Sequence, residues 1–292
     1  MSLPKSNQEI TVAIVQPNIN PNTKWQNKKE VIAFMDSLHR ESIKFNPDLI
    51  VFPETALPSY LVRDNRTRST LQSTVNSSDI PLLTGTIHTS FENNSRFYYN
   101  SSMFIIPQKR YELYSKIHLV PFAEYDLLPS FFHPLTKLNI NIDRGYFKSG
   151  NNYKIFKYEQ LRFANLICYE SSIPNISRTF VSKGAEFLVI QANDGWLGSS
   201  FGPYQHFELA RLRAIENRIP IVRCANTGIS GIFNFDGSVK AKVKLNEEKI
   251  IFESLRTNKN GSFYTKYGDI FAIIISIIFL IVISYKCRKY YY

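Results

Sequence analysis

Cysteine is scarce in this chain, with three in 292 residues, at positions 168, 224 and 287. They are too few and too scattered for a disulfide framework or a metal cluster, and the odd count leaves at least one free thiol. Acidic residues are also in short supply: 24 Asp and Glu against 35 Lys and Arg leave a formal charge of +11. That balance raises two partner classes, nucleic acid and an anionic membrane surface. The basic residues form no Lys/Arg block, and the sequence carries no zinc or helix-turn-helix signature. No nucleic-acid partner is therefore expected. Internal repeats and low-complexity linkers are missing too. What is present is a folding composition, 44% hydrophobic and 14% aromatic, enough for one large domain or two small ones.

Short β-branched or apolar runs alternate with helical spacings. Thr11–Gln16, Asp48–Phe52, Pro81–His88, Ser101–Ile106, Tyr111–Tyr114, Phe163–Cys168, Phe187–Ala192, Pro220–Ala225 and Gly231–Phe235 are expected strands. Trp25–Phe45, Ile173–Lys183 and Pro203–Asn217 are expected helices. The alternation predicts an α/β fold with antiparallel hairpins in the 96–114 and 153–168 regions. Asn258–Ser262 reads as a hinge ahead of the last segment.

That last segment differs in kind. Ile270–Ser284 carries no charge, is flanked by Tyr267 and Tyr285, and is followed by Lys286, Arg288 and Lys289. A buried terminal helix or strand would also be apolar. All-round apolarity with an aromatic and basic flank favours a membrane span instead, expected over 266–287 with a tail at 288–292. The basic flank predicts a cytoplasmic C-terminus and places residues 1–265 on the other face. Residues 1–8 are polar and form no signal peptide, so an upstream export element is expected.

Three strand ends carry the chemistry. Cys168 closes an apolar run and is followed by Tyr169-Glu170-Ser171. Glu54 follows Phe52-Pro53, and Lys116 follows Tyr114-Ser115. A thiolate is a strong nucleophile but must first lose its proton. Glu54, with a pKa raised by desolvation, could take that proton. Lys116 and the backbone N–H of Tyr169 could then stabilise the oxyanion of a tetrahedral intermediate. Each residue alone has a plainer reading: an inert buried thiol, a capping turn, a solvated lysine. The combination carries the case. Cys224 and Cys287 keep the plain reading. The scheme needs no metal and no cofactor, and the five histidines form no evident dyad with Cys168.

The order Pro53-Glu54-Thr55, Lys116 to Tyr125, and Ile167-Cys168-Tyr169-Glu170 resembles the nitrilase, or carbon–nitrogen hydrolase, superfamily. Within it the chain is most similar to the apolipoprotein N-acyltransferase family. The segments His118–Glu124, Gln191–Gly198 running into Gly202–Glu216, and Arg223–Ser230 carry that narrower resemblance. It implies a four-layer α-β-β-α sandwich over 1–262 and a C-terminal transmembrane helix. It further implies an acyltransferase of the bacterial inner membrane, with its catalytic domain on the periplasmic face. Cys168 would take a fatty acyl chain from a phospholipid as a thioester. It would then pass the chain to the N-terminal amine of a diacylglyceryl-cysteine lipoprotein. The resemblance makes Glu54 the base, Lys116 the oxyanion stabiliser, Cys168 the nucleophile and Glu124 a supporting carboxylate. It puts Trp25, Asn100, Tyr169, Glu170 and Trp196 at substrate positions. Family members carry several membrane helices ahead of this domain, and none is read here before residue 266. The chain is then a fragment, a split enzyme with a separate multi-span membrane subunit, or a degenerate copy. A membrane-tethered amidase and a non-catalytic partner subunit are the competing readings.

Overall fold

The computed structural model describes residues 8–92, 95–121, 123–125, 147–198 and 200–290. The expected polar start (1–7) and the end of the expected tail (291–292) lie outside these residues. Alternation along the strands shows why two layers of sheet form. In β1 (Glu9–Gln16), Val12 and Ile14 face one apolar cluster while Ala13 and Val15 face another. β2 (Leu49–Val51) repeats the pattern, with Leu49 and Val51 on the first side and Ile50 on the second. A strand with two apolar faces must be covered on both.

On the outer side the cover is α1 (Lys28–Ile43), through Met35 and Leu38, and α2 (Asn65–Ser78), through Leu71 and Val75. On the inner side it is a second sheet. The first sheet has the order β12-β1-β2-β3-β4-β5, with β3 (Leu82–Glu92), β4 (Ser95–Ile105), β5 (Glu112–Ser115) and β12 (Lys249–Arg256). The second runs β11-β10-β9-β8-β7-β6, with β6 (Ile155–Tyr158), β7 (Leu161–Ile167), β8 (Phe187–Ala192), β9 (Ile221–Ala225), β10 (Ser230–Phe233) and β11 (Val239–Val243). Its outer face packs on α3 (Pro174–Ser182), through Ile176 and Phe180, and α4 (Gly202–Asn217), through Phe207, Ala210 and Ala214. The result is the expected four-layer α-β-β-α sandwich.

The expected strands and helices appear with bounds moved by a few residues, and the hairpins β4–β5 and β6–β7 are antiparallel. Three elements were not anticipated. α2 is polar (NRTRSTLQSTVNSS) and buries only Leu71 and Val75 among apolar residues, so it shows little helical periodicity. β11 and β12 lie beyond Phe235, where the expected strands ended. β12 pairs antiparallel with β1 from Glu9↔Arg256 to Gln16↔Lys249, a partner remote in sequence. The expected hinge is a correction: Asn258–Ser262 is fastened to the body. Asn258 N–H donates to the Glu186 carbonyl at 3.0 Å and its side chain to the Arg218 carbonyl at 2.5 Å, while the Ser262 hydroxyl donates to the Glu216 carbonyl. Short amide and hydroxyl side chains supplied backbone partners there instead of mobility.

Beyond α5 (Phe263–Tyr267) comes α6 (Ile270–Tyr290). At about 1.5 Å per residue it spans about 31 Å, the thickness of a bilayer's hydrocarbon core. Ile270–Cys287 has a mean hydropathy of 2.6 and is exposed all along, so it is long and apolar enough to cross a membrane.

Candidate active site

β1, β2 and β3 run parallel in one sheet, and β7, β8 and β9 run parallel in the other. Residues just past the carboxyl ends of such strands gather at one edge, where ligands of α/β sheets bind. Glu54 follows β2, Cys168 follows β7 and Asp194 follows β8. Lys116 follows β5, and Asn100 lies on β4.

Glu54 is placed by the core beneath it. Asn165 donates to the Ser102 hydroxyl (2.6 Å), Ser102 to Gln191 Oε1 (2.5 Å), and Gln191 Nε2 to the Phe52 carbonyl (2.6 Å). This chain of bonds crosses the sheet interface and ends two residues before Glu54. From the other side Gly85 presses on the Pro53–Thr55 turn. A Cβ at Gly85 would stand 2.6 Å from Pro53 O and 2.7 Å from Glu54 Cα, so only glycine fits.

Lys116 is 1% exposed and sits between two carboxylates. Its Nζ is 2.8 and 3.0 Å from the two oxygens of Glu124, and 4.0 Å from Glu54 Oε1. Asn100 Nδ2 donates to Glu54 Oε1 at 2.7 Å and to Glu124 Oε1 at 2.9 Å. Glu124 Oε2 also accepts from Val120 N–H at 2.8 Å. Burial raises the Glu54 pKa above its ordinary value, with Lys116 working the other way. Burial alone would depress Lys116, but Glu54, Cys168 and Glu124 outweigh it and keep the ammonium charged.

Cys168 is half-buried and starts a one-turn helix, Cys168–Ser172. Its φ of 51° is left-handed, a conformation costing a non-glycine residue about 1–2 kcal/mol. Such strain gathers at functional turns. Burial pushes the thiol pKa up and the Glu54 charge adds to that, while Lys116 opposes both. Burial thus favours the thiol form, within the electrostatic reach of a carboxylate able to accept its proton and an ammonium able to steady the resulting charge.

The remaining expected residues divide. Asn100 and Glu124 bond directly within the Glu54–Lys116 cluster, and Tyr169 follows Cys168 in the one-turn helix. Trp25 is 43% exposed and begins a row of rings, 5.7 Å from Tyr60, which is 6.4 Å from Tyr98 on the same face of β4 as Asn100. Trp196 lies in the one-turn helix Asp194–Leu197, directly after β8. Glu170, expected at a substrate position, is fully buried with both oxygens engaged. Oε1 accepts from the Tyr114 hydroxyl (2.7 Å), Ile117 N–H (2.7 Å) and His118 N–H (3.2 Å), and Oε2 accepts from Ile167 N–H (2.8 Å). It ties the cysteine turn to the lysine loop.

The sequence reading missed Lys24, Ser171, Asp194, His206 and Arg223. Lys24 is buried and donates to the Thr55 carbonyl at 2.5 Å; burial lowers its pKa to about 8, against the pull of Glu54. His206 contacts the Cys168 carbonyl rather than the thiol. The last three lie in segments that carried the resemblance, but only the fold shows what they touch. Cys224, as expected, is an inert core thiol, 3.3 Å from the carbonyls of Val15 and Val51. No cluster of metal-ligating side chains occurs among the described residues.

Similarity to known proteins agrees with this geometry. An apolipoprotein N-acyltransferase of Geobacter metallireducens is 33% identical over 93% of this chain and 53% of its own length. One of Rickettsia prowazekii is 34% identical over 97% of this chain and 56% of its own. The chain thus spans about half the length of the curated relatives it matches. Among solved structures, a carbon-nitrogen hydrolase from Helicobacter pylori G27 superposes with a TM-score of 0.68 at 15% identity, covering 85% of this chain and 89% of that one. Saccharomyces cerevisiae Nit3, of branch 10 of the nitrilase superfamily, superposes at 0.62 with 20% identity, covering 85% and 90%. The carbon-nitrogen hydrolase family model matches residues 11–262, all twelve strands of the described residues but the first residues of β1 included, and the chain belongs to that family.

Proposed function

We propose that residues 1–262 form the catalytic domain of a lipoprotein N-acyltransferase, anchored by a span at 266–287 and a basic tail at 288–292. The observation that carries the covalent chemistry is the half-buried Cys168 at a left-handed turn, within the electrostatic reach of the Glu54–Lys116–Glu124 array. The names of the relatives and the terminal apolar helix support a lipid donor.

In the first half-reaction Glu54 takes the Cys168 proton as sulfur attacks a phospholipid ester carbonyl. Lys116 and the Tyr169 N–H stabilise the oxyanion. Collapse breaks the ester C–O bond, and Glu54 returns the proton to the departing lysophospholipid oxygen, leaving an acyl thioester. In the second, the amine of a diacylglyceryl-cysteine terminus attacks the thioester. Glu54 takes the amine proton, the C–S bond breaks and the proton returns to Cys168. Glu124 and Asn100 hold Lys116 and Glu54 at their separation throughout, while Trp25 and Trp196 are assigned to substrate binding. A water-poor pocket favours amine over hydrolysis.

The basic residues that close α6, Lys286, Arg288 and Lys289, support a cytoplasmic C-terminus in a bacterial inner membrane, with the catalytic domain on the periplasmic face. A separate multi-span membrane subunit would complete the lipid entrance. The test is mass spectrometry of the full chain after incubation with phosphatidylethanolamine vesicles. One fatty acyl mass on Cys168, lost in Cys168→Ala, is expected. Release of ammonia from short amides without any lipid adduct would sink the acyltransferase reading in favour of an amidase.

A further inference from the structure

The strained turn at Cys168 is held from behind by a buried polar network that the covalent steps above do not use. The Ser171 hydroxyl donates to the Cys168 carbonyl at 2.8 Å. His206 Nε2, from α4, lies 2.8 Å from that hydroxyl and 3.1 Å from the carbonyl oxygen. Across the ring, Nδ1 is 2.7 Å from Asp194 Oδ1, and Asp194 Oδ2 accepts from Arg223 Nη2 at 2.7 Å. Arg223 Nε donates to the Ile229 carbonyl at 3.1 Å, fixing the guanidinium in turn. Asp194, His206 and Arg223 are all buried. A Cβ on Gly228 would collide with the Asp194 carboxylate, so glycine there leaves the space that the carboxylate occupies.

The described residues contain no cis peptide, so the Cys168–Tyr169 bond is trans and its C=O and N–H point in opposite directions. Holding the carbonyl against Ser171 and His206 therefore points the Tyr169 N–H the opposite way within the same peptide plane. That N–H comes before the first donor of the one-turn helix, so the helix does not use it. Asp194, kept ionised by Arg223 and His206 against the effect of burial, accepts from Nδ1–H and orients the ring. A carbonyl oxygen and a hydroxyl already donating to it can only accept from Nε2, so the geometry requires Nε2–H as well, the imidazolium of the Asp194 ion pair, although burial and Arg223 work against that charge.

We propose that His206 is a positioning residue for acyl transfer: anchored by Asp194 and Arg223, it holds the Cys168 carbonyl with Ser171 and thereby aims the Tyr169 N–H at the oxyanion. The inference rests on the reading that Cys168 is acylated through a tetrahedral intermediate.

Two reagents separate positioning from support of the turn. A p-nitrophenyl ester acylates a thiol through an oxyanion, whereas iodoacetamide alkylates it without one. In the full chain in detergent, His206→Ala should slow ester acylation of Cys168 by about 10- to 100-fold, a loss in kcat rather than KM. Alkylation should stay within about 3-fold of wild type. His206→Gln, which keeps a polar group near Nε2, should recover part of the rate, and Ser171→Ala should fall between. Unchanged ester acylation in His206→Ala, or equal losses in acylation and alkylation, would overturn the proposal. Phosphatidylethanolamine vesicles serve as a parallel donor. Wild type loaded by the ester but not by the phospholipid defeats the donor assignment alone, with positioning still judged on the ester. Wild type loaded by neither defeats both.

Discussion

Glu124 holds Lys116 with both carboxylate oxygens, at 2.8 and 3.0 Å, whereas Glu54 stands 4.0 Å from the same ammonium. The lysine is therefore clamped by one carboxylate and left only loosely attracted to the other. That division suits a base that must give up and regain a proton beside a fixed cation.

Glu124→Ala removes the clamp and leaves Lys116 to collapse toward Glu54. Breaking a buried pair is expected to cost about 3 kcal/mol in stability, read from denaturant unfolding. Acylation of Cys168 should fall by about 10²- to 10³-fold. Glu124→Gln, which keeps an acceptor oxygen, should retain more of both.

The rate of acylation should lose its base as pH falls through the Glu54 pKa, which burial holds above the ordinary 4.5. Asn100 donates to Glu54 and lowers that pKa. Asn100→Ala should accordingly shift the acidic limb of the pH–rate profile upward. A limb that stays in place or moves down would remove Glu54 from the role of base.

His39 makes a second, independent pH prediction. Its ring is fully buried against Phe52, and burial lowers its pKa from 6.5 to about 4. The unfolded chain binds the proton more readily, so the neutral ring's contribution is complete above pH 6.5 and is lost as pH falls toward 4. The loss is roughly 3 kcal/mol. His39→Leu should flatten that part of the stability–pH curve, measured by urea unfolding.

Gly85→Ala tests the seat of Glu54. Its methyl group would press on the backbone of Pro53 and Glu54, where nothing flexible can yield. Destabilisation of about 2–4 kcal/mol is expected, with acylation of the remaining folded protein reduced more than its iodoacetamide alkylation.

The continuous apolar runs Val12–Val15 and Phe187–Ile190 marked buried strands, because hydrophobicity is a local property of the sequence. The polar α2 carried no such run. β12 takes its place from β1, a partner at the other end of the chain. The ionisable residues after β2, β5 and β7 were likewise legible, since a polar residue closing an apolar strand shows in the sequence itself.

The sequence by itself thus determined the α/β class and the apolar terminal segment, and it singled out Glu54, Lys116 and Cys168 as candidates. It placed Glu170 near the reaction without showing what the residue does there, because a Cys-Tyr-Glu spacing does not say that four donors surround the carboxylate. Only the tertiary structure decided that Glu124 clamps Lys116, that Asn100 bridges two carboxylates, and that His206 stands behind Cys168. Hydrogen bonds act over about 3 Å; residues as far apart in sequence as 54 and 100 come within that range only when strands line up in one sheet, and 168 and 206 only when a helix packs on its sheet.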